Sequence, residues 1–200
     1  MCIRDRTIAR SIGDRYGLSG FASNLSEVAH VRGDHETALA LARQGLAIAE
    51  ADGNASLRAV ALVAEGDALL GLGQLDEAEA SYRSANAVYV AQRRALPGLS
   101  PQAGRVEVAL RRGDPAEARA RAEEILGVLA ADAATAACAP SAVYWACWRT
   151  LTAAKDPRAG ALLTQARALL RARGLTIPDA AARARYAAQA SVSWALELRL

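Results

Sequence analysis

The sequence has few of the residues on which disulfide-rich, metal-binding and membrane-spanning proteins depend. Its three cysteines, Cys2, Cys138 and Cys147, form no C-x-x-C pair, so neither a disulfide framework nor a zinc site is indicated. Charged residues interrupt the apolar runs every few positions, and no run approaches the ~20 residues that span a bilayer. We therefore expect a cytoplasmic protein with reduced thiols and with no metal or cofactor.

Aromatic residues and lysine are also scarce, and each scarcity excludes a class of protein. Aromatics make up 4 % of the chain, whereas alanine and leucine dominate a hydrophobic content of 52 %, which favours closely packed helices over a sheet. Lys155 is the only lysine, and the arginines are interleaved with acidic residues to give a net charge of +3. Because no basic stripe results, we expect no nucleic-acid partner.

What the sequence does contain is an internal repeat. A glycine followed by Asp or Gln, and then by alanine at the fifth position after the glycine, occurs at Gly33, Gly73 and Gly113. The constant step of about 40 residues is typical of stacked helical hairpins. The apolar periodicity within each unit predicts two antiparallel helices. In the first unit, the first helix carries Phe21, Leu25, Val28 and Ala29 on its buried side.

The repeat divides the chain into five parts. Residues 1–6 resemble the translation of a sequencing adapter and are expected to be an artefact, so that 7–17 are the tail and turn of a truncated repeat. Three hairpins of about 40 residues are predicted over 18–130, a fourth, divergent hairpin over 131–174, and a capping helix over 175–200. The predicted helices span 18–32, 35–51, 57–72, 75–94, 102–112, 115–130, 143–154 and 157–172, with connections at 97–101 and 131–140.

The units resemble the tetratricopeptide repeat. The first unit matches its packing and turn positions at Leu25, Ala29, Gly33, Ala38 and Gly45, and the second matches at Gly66, Leu69, Gly73, Ala78, Tyr82 and Ala85. This resemblance implies an all-α, right-handed solenoid that acts as a non-catalytic scaffold for protein interactions. The step exceeds the usual ~34 residues, and the proline that normally ends each repeat is absent.

A second resemblance concerns residues 141–189, which are similar to the closing repeat of multidomain bacterial regulators. Those proteins carry an NTPase or nucleotide-cyclase domain upstream, and the resemblance implies that this chain is the C-terminal fragment of such a regulator. No motif of either catalytic domain occurs in the 200 residues. Any enzymatic activity would therefore belong to a missing upstream domain.

Candidate partner-binding residues lie on the first helix of each hairpin, which lines the concave face in the tetratricopeptide family. Glu27, Asp67 and Glu107 recur at the step of the repeat, and stacking would align them as an acidic ladder for the Arg or Lys side chains of an extended peptide. The alternative is that these carboxylates only keep an exposed helix face solvated. The remaining predicted contacts are His30, Leu70, Leu110 and Arg111.

Two further groups have competing interpretations. His30, beside Glu27, either titrates near neutral pH or is a surface histidine without a role, and His35 is predicted to lie on the surface. Trp145 and Trp148 form either a ligand pocket or a hydrophobic plug between hairpins. The pocket would make the chain a small-molecule sensor, as an alternative to a scaffold. Catalysis by Cys147 would need a neighbouring base, and none is expected within reach.

Overall fold

The computed structural model describes residues 14–182, and nine helices lie wholly within that range. They are α1 Arg15–Val31, α2 His35–Ala51, α3 Ala55–Gly71, α4 Leu75–Ala91, α5 Ala95–Arg112, α6 Pro115–Ala131, α7 Ala133–Cys138, α8 Ser141–Ala153 and α9 Arg158–Leu175. A further helix begins at residue 180. None of the described helices is long and apolar enough to cross a membrane.

The first six helices start at equal intervals, so the step of the repeat consists of two equal half-steps. Each half-step combines a helix of 17 residues, or 18 in α5, with a short turn. Left-handed backbone closes every one of these helices but α6, with φ of 80° at Gly33, 63° at Gly53, 76° at Gly73, 53° at Arg93 and 74° at Gly113. The predicted matching bends at Gly33, Gly73 and Gly113 are confirmed.

Side-chain caps fix where most of these helices begin. Asp14, Asp34, Asn54 and Asp114 each accept a hydrogen bond from the backbone N–H three residues ahead, at 2.9 to 3.1 Å. Such a cap contributes ~1 kcal/mol to helix stability, because it satisfies an N–H that has no partner within the helix. These caps therefore fix the starts of α1, α2, α3 and α6, whereas α4 and α5 begin without a side-chain cap.

The hairpins stack so that alternate helices form one continuous layer. The pairs α1/α2, α3/α4, α5/α6 and α8/α9 pack as hairpins, and α1 also packs on α3, α3 on α5, and α5 on α8. Over residues 14–182 the chain is thus an all-α solenoid whose inner layer is α1, α3, α5 and α8. The short helix α7 lies against α6 and forms part of the connection to the fourth hairpin.

Small residues let the helices approach closely, as the sequence predicts. Ala38, Ala78 and Ala118, each the fourth residue of its helix, are completely buried. A Cβ added to Gly66 would lie 2.6 Å from the ring of Tyr82, far inside van der Waals contact. Stacking at this separation depends on side chains no larger than alanine at the crossing points.

Several predicted boundaries are wrong. Residues 97–101 lie inside α5, which begins at Ala95. Pro97 falls in the first turn, where no N–H is needed, and buried Pro101 removes only one further hydrogen bond. Residues 133–138 form α7, because Asp132 accepts bonds from the Ala134 N–H and the Thr135 hydroxyl and so starts a helix there.

Three smaller expectations also need correction or fall outside the structure. Val28 is 45 % exposed because the buried side of α1 is built from Ser19, Ala22, Ser23, Ser26 and Ala29. Gly174, predicted to end the fourth hairpin, lies within α9. The expectations for residues 1–13, and for the capping helix beyond residue 182, lie outside the described residues.

Candidate binding groove

The inner layer forms a groove of about 940 Å³ that runs from the first hairpin to the fourth. Helices α1, α3, α5 and α8 supply most of its wall, and tyrosines of α4 reach its floor between α3 and α5. Its large apolar lining side chains are Val60, Val63, Leu70, Leu96, Pro97 and Trp145. Six charged residues face it as well: Glu27, Asp67, Glu107, Arg94, Arg111 and Arg149.

Asp67 lies at the middle of this groove and is held by Tyr82. The Tyr82 hydroxyl donates a hydrogen bond of 2.6 Å to Oδ1 of Asp67. The tyrosine ring is completely buried between two glycines, since a Cβ at Gly66 would lie 2.6 Å from the ring and one at Gly104 2.3 Å. Glycines on both sides thus admit a large ring that reaches from α4 to the groove floor.

This environment disfavours the charged form of the Asp67 carboxyl. Burial, offset in part by the hydrogen bond from Tyr82 and reinforced by the negative charge of Glu27, raises the pKa of Asp67 to about 6. Burial and the adjoining Asp67 carboxylate also raise the pKa of Tyr82. The hydroxyl therefore remains a proton donor, while Asp67 changes its charge just below neutral pH.

Glu107, the last residue of the acidic ladder, is paired with an arginine. Glu107 forms an ion pair with Arg149 of α8, at 2.5 Å between Oε2 and Nη1, and its side chain is 15 % exposed. Arg149 follows Glu107 by the same offset that separates Asp156 from Asp114, slightly more than the step of the repeat. The row of charged side chains therefore continues into the fourth hairpin, where the residue is basic instead of acidic. That shared offset is a signal by which the sequence alone would have revealed Arg149.

Five of the seven predicted contact residues line the groove, and two do not. Glu27, Asp67, Leu70, Glu107 and Arg111 face it, and Arg111 donates a 2.5 Å hydrogen bond to the backbone carbonyl of Leu70. Leu110 instead packs against the core of the third and fourth hairpins. His30 lies outside the groove lining.

The prediction that His35 is a surface residue is wrong. His35 is partly buried, its ring centroid is 5.0 Å from that of His30, and a Cβ at Gly71 would lie 2.4 Å from its Nδ1. Burial, followed by the neighbouring charges of His35 and Arg111, lowers the pKa of His30. His30 is therefore neutral at physiological pH and serves the contact between α1 and α2.

The aromatic cluster of α8 serves both the core and the groove. Trp145 and Trp148 stack with centroids 5.1 Å apart and pack against the core, as a plug would, while Trp145 also lines the groove. Cys147 is buried within α8, and this burial raises the pKa of its thiol to about 12. Because a thiol with this pKa stays protonated at neutral pH, Cys147 is unsuited to nucleophilic attack.

Sequence comparison agrees with this architecture. The family model of the tetratricopeptide repeat matches residues 20–44, 59–84 and 99–124, which fall in the first three hairpins. The starts of these matches follow the step of the repeat. No curated protein matches the chain. Because the matched segments coincide with the stacked hairpins, three segments of the chain are similar to the tetratricopeptide repeat, whose arrays generally bind protein partners.

Proposed function

We propose that the chain is a scaffold that binds an extended segment of a partner protein in its groove. The observation that carries this proposal is the groove of about 940 Å³ along the inner layer, since it crosses all four hairpins and is lined by apolar side chains as well as charges. A compact small molecule would fill only part of a groove that extends over four hairpins. An extended peptide would place successive side chains against successive helices.

The lining indicates the chemistry of the bound segment. Val60, Val63 and Leu96 offer contacts to aliphatic or aromatic side chains of the partner, whose burial contributes about 25 cal/mol per Å². Glu27 is exposed, Asp67 is partly buried, and both line the groove, so this end of the groove favours a Lys or Arg side chain. We expect a segment that alternates apolar and basic residues.

A groove-blocking variant tests this function. Random peptides long enough to cross all four hairpins are selected by phage display against the chain, and their affinities are measured by fluorescence anisotropy. Ala142→Trp introduces a large ring at an exposed residue of the groove wall, and Ala87→Trp introduces the same ring at an exposed residue of α4 outside it. We expect Ala142→Trp to weaken binding at least tenfold and Ala87→Trp to leave it unchanged. Equal affinities for both variants would refute the groove as the binding site.

Small-molecule sensing is the second candidate function, and the stacked tryptophans favour it. Trp145 faces the groove while it contacts Trp148, so a ligand at this end would change the tryptophan environment. A metabolite screen monitored by tryptophan fluorescence, repeated with Trp145→Phe, separates the two functions. A saturable change that depends on Trp145, without peptide binding by the wild type, would favour the sensor.

Membership of a larger bacterial regulator stays a prediction from the resemblance of residues 141–189. In that arrangement the solenoid would dock a partner or sense a signal on behalf of an upstream NTPase or nucleotide-cyclase domain. The gene sequence upstream of Thr7 tests this directly. An NTPase or cyclase domain encoded in frame would support the prediction, and a start codon immediately upstream of Thr7 would refute it.

A further inference from the structure

The groove floor holds one carboxyl group whose surroundings differ from those of the other acidic side chains. Asp67 of α3 accepts a hydrogen bond from Tyr82 of α4, and the Tyr82 ring is clamped between Gly66 and Gly104. Glu107, by contrast, is already paired with Arg149. Asp67 therefore combines a fixed position, a fixed hydrogen bond and access to the groove.

We propose that Asp67 is the proton-linked recognition residue of the groove, which pairs with a Lys or Arg side chain of the bound segment when ionised, and that Tyr82 is its positioning residue. This inference rests on the proposed function, since it names the chemistry by which the groove recognises a peptide.

The groups around Asp67 and Tyr82 explain why ionisation of Asp67 is coupled to the binding of a cationic ligand. Glu27 on α1 acts on Asp67, and Glu107 and Arg111 on α5 act on Tyr82. Burial and Glu27 both disfavour the ionised form of Asp67, and Tyr82 supplies a single hydrogen bond to it. A partner ammonium or guanidinium group beside Asp67 and Glu27 would offset both penalties at once.

Two arginines of the neighbouring helices are engaged elsewhere. Arg111 is directed to the carbonyl of Leu70, and Arg43 of α2 is directed to Glu65 rather than to the groove floor. A cation from a partner is therefore the group that complements Asp67. Pairing would restore the pKa of Asp67 towards its ordinary value, so binding would release a proton at mildly acidic pH.

The size of the effect follows from linkage. With a pKa of about 6 in the free protein and roughly 4 in the complex, affinity for a basic peptide rises about tenfold between pH 5 and pH 7. The Tyr82 hydroxyl stabilises the charged carboxylate, so its removal should shift the rise in affinity to higher pH.

The experiment uses the whole chain and the tightest lysine-containing peptide obtained from the display selection. Its affinity is measured from pH 5 to pH 8, alongside a version with lysine replaced by norleucine. We expect the tenfold rise for the lysine peptide and little change for the norleucine peptide. Asp67→Asn should flatten the profile, Tyr82→Phe should move its midpoint to higher pH, and Glu124→Gln, at an exposed residue of α6, should leave it unchanged.

The outcomes separate the two proposals. Groove-dependent binding that has the same pH profile in wild type and Asp67→Asn would overturn the role of Asp67 and leave the scaffold function intact. An unchanged midpoint in Tyr82→Phe, measured by NMR titration of the Asp67 carboxyl carbon in the free protein, would overturn the role of Tyr82. Failure of every peptide to bind at every pH would overturn both the scaffold function and this inference.

Discussion

Asp67→Asn should change the pH dependence of stability in a direction that is set by the burial of the carboxyl. In the folded protein the pKa is raised from 3.8 to about 6, so the native state binds this proton more tightly than the unfolded chain does. The stability that this proton contributes is fully present below pH 3.8 and is lost as the pH rises through about 6. The loss at neutral pH amounts to about 3 kcal/mol, at 1.36 kcal/mol per pKa unit.

Asparagine retains the shape of the side chain and an oxygen that accepts the Tyr82 hydrogen bond, but it does not titrate. We therefore expect the free energy of unfolding of Asp67→Asn, relative to wild type, to rise by about 2–3 kcal/mol between pH 4 and pH 7.5. Urea unfolding followed by circular dichroism at several pH values measures this difference. Glu124→Gln serves as the control because it removes a carboxylate from an exposed position on α6.

A parallel pH dependence of wild type and Asp67→Asn would contradict this reasoning. It would mean that Asp67 is solvated in the native state and that Tyr82 does not hold it in the buried position described above. A variant that loses stability with rising pH faster than wild type would contradict the sign of the linkage itself.

Three further predictions concern packing, backbone and reactivity. Gly104→Ala should lower the free energy of unfolding by about 1–3 kcal/mol in urea titrations, because its Cβ would lie 2.3 Å from the Tyr82 ring; a neutral effect would contradict the packing. Arg93→Gly should raise the free energy of unfolding by about 1 kcal/mol, since Arg93 has a φ of 53°, which glycine adopts without strain. A loss of stability in this variant would contradict that prediction. At pH 8 iodoacetamide should modify exposed Cys138 and spare buried Cys147; peptide mass spectrometry that finds equal labelling would refute the burial.

The repeat was predictable because it is carried by local signals. Glycine at a turn, an Asp or Asn cap and a small residue at a helix crossing each act within a few residues, so Gly33 and Gly73 predict the bends correctly. The half-step was harder to see, because one of its left-handed positions is occupied by Arg93 rather than glycine. Stacking tolerates that residue, since its side chain is exposed.

The misplaced start of α5 shows where local signals mislead. Pro97 and Pro101 favour a connection, yet one lies in the first turn and the other is buried within a helix that packs on neighbours along its length. Tertiary packing outweighs the loss of one hydrogen bond. The partial burial of His35 has a related cause, since His35 packs against Gly71 on another hairpin, which local signals do not reveal.

The groove itself was only partly predictable. The spacing of the repeat placed Glu27, Asp67 and Glu107 on one face, but it did not show that Tyr82 reaches the floor or that Arg149 pairs with Glu107. Both contacts join residues on different helices, and the second also crosses the joint at which the step changes. Charge partners across such a joint depend on how the helices stack rather than on spacing alone.

Hydrogen–deuterium exchange with a selected peptide tests the binding groove most directly, because it reports the bound surface without any substitution. The prediction is slower exchange in α1, α3, α5 and α8, the helices that line the groove, with little change in the exposed segments of α2 and α6. Protection confined to α2 and α6, with the groove helices unchanged, would show that partners bind elsewhere on the solenoid.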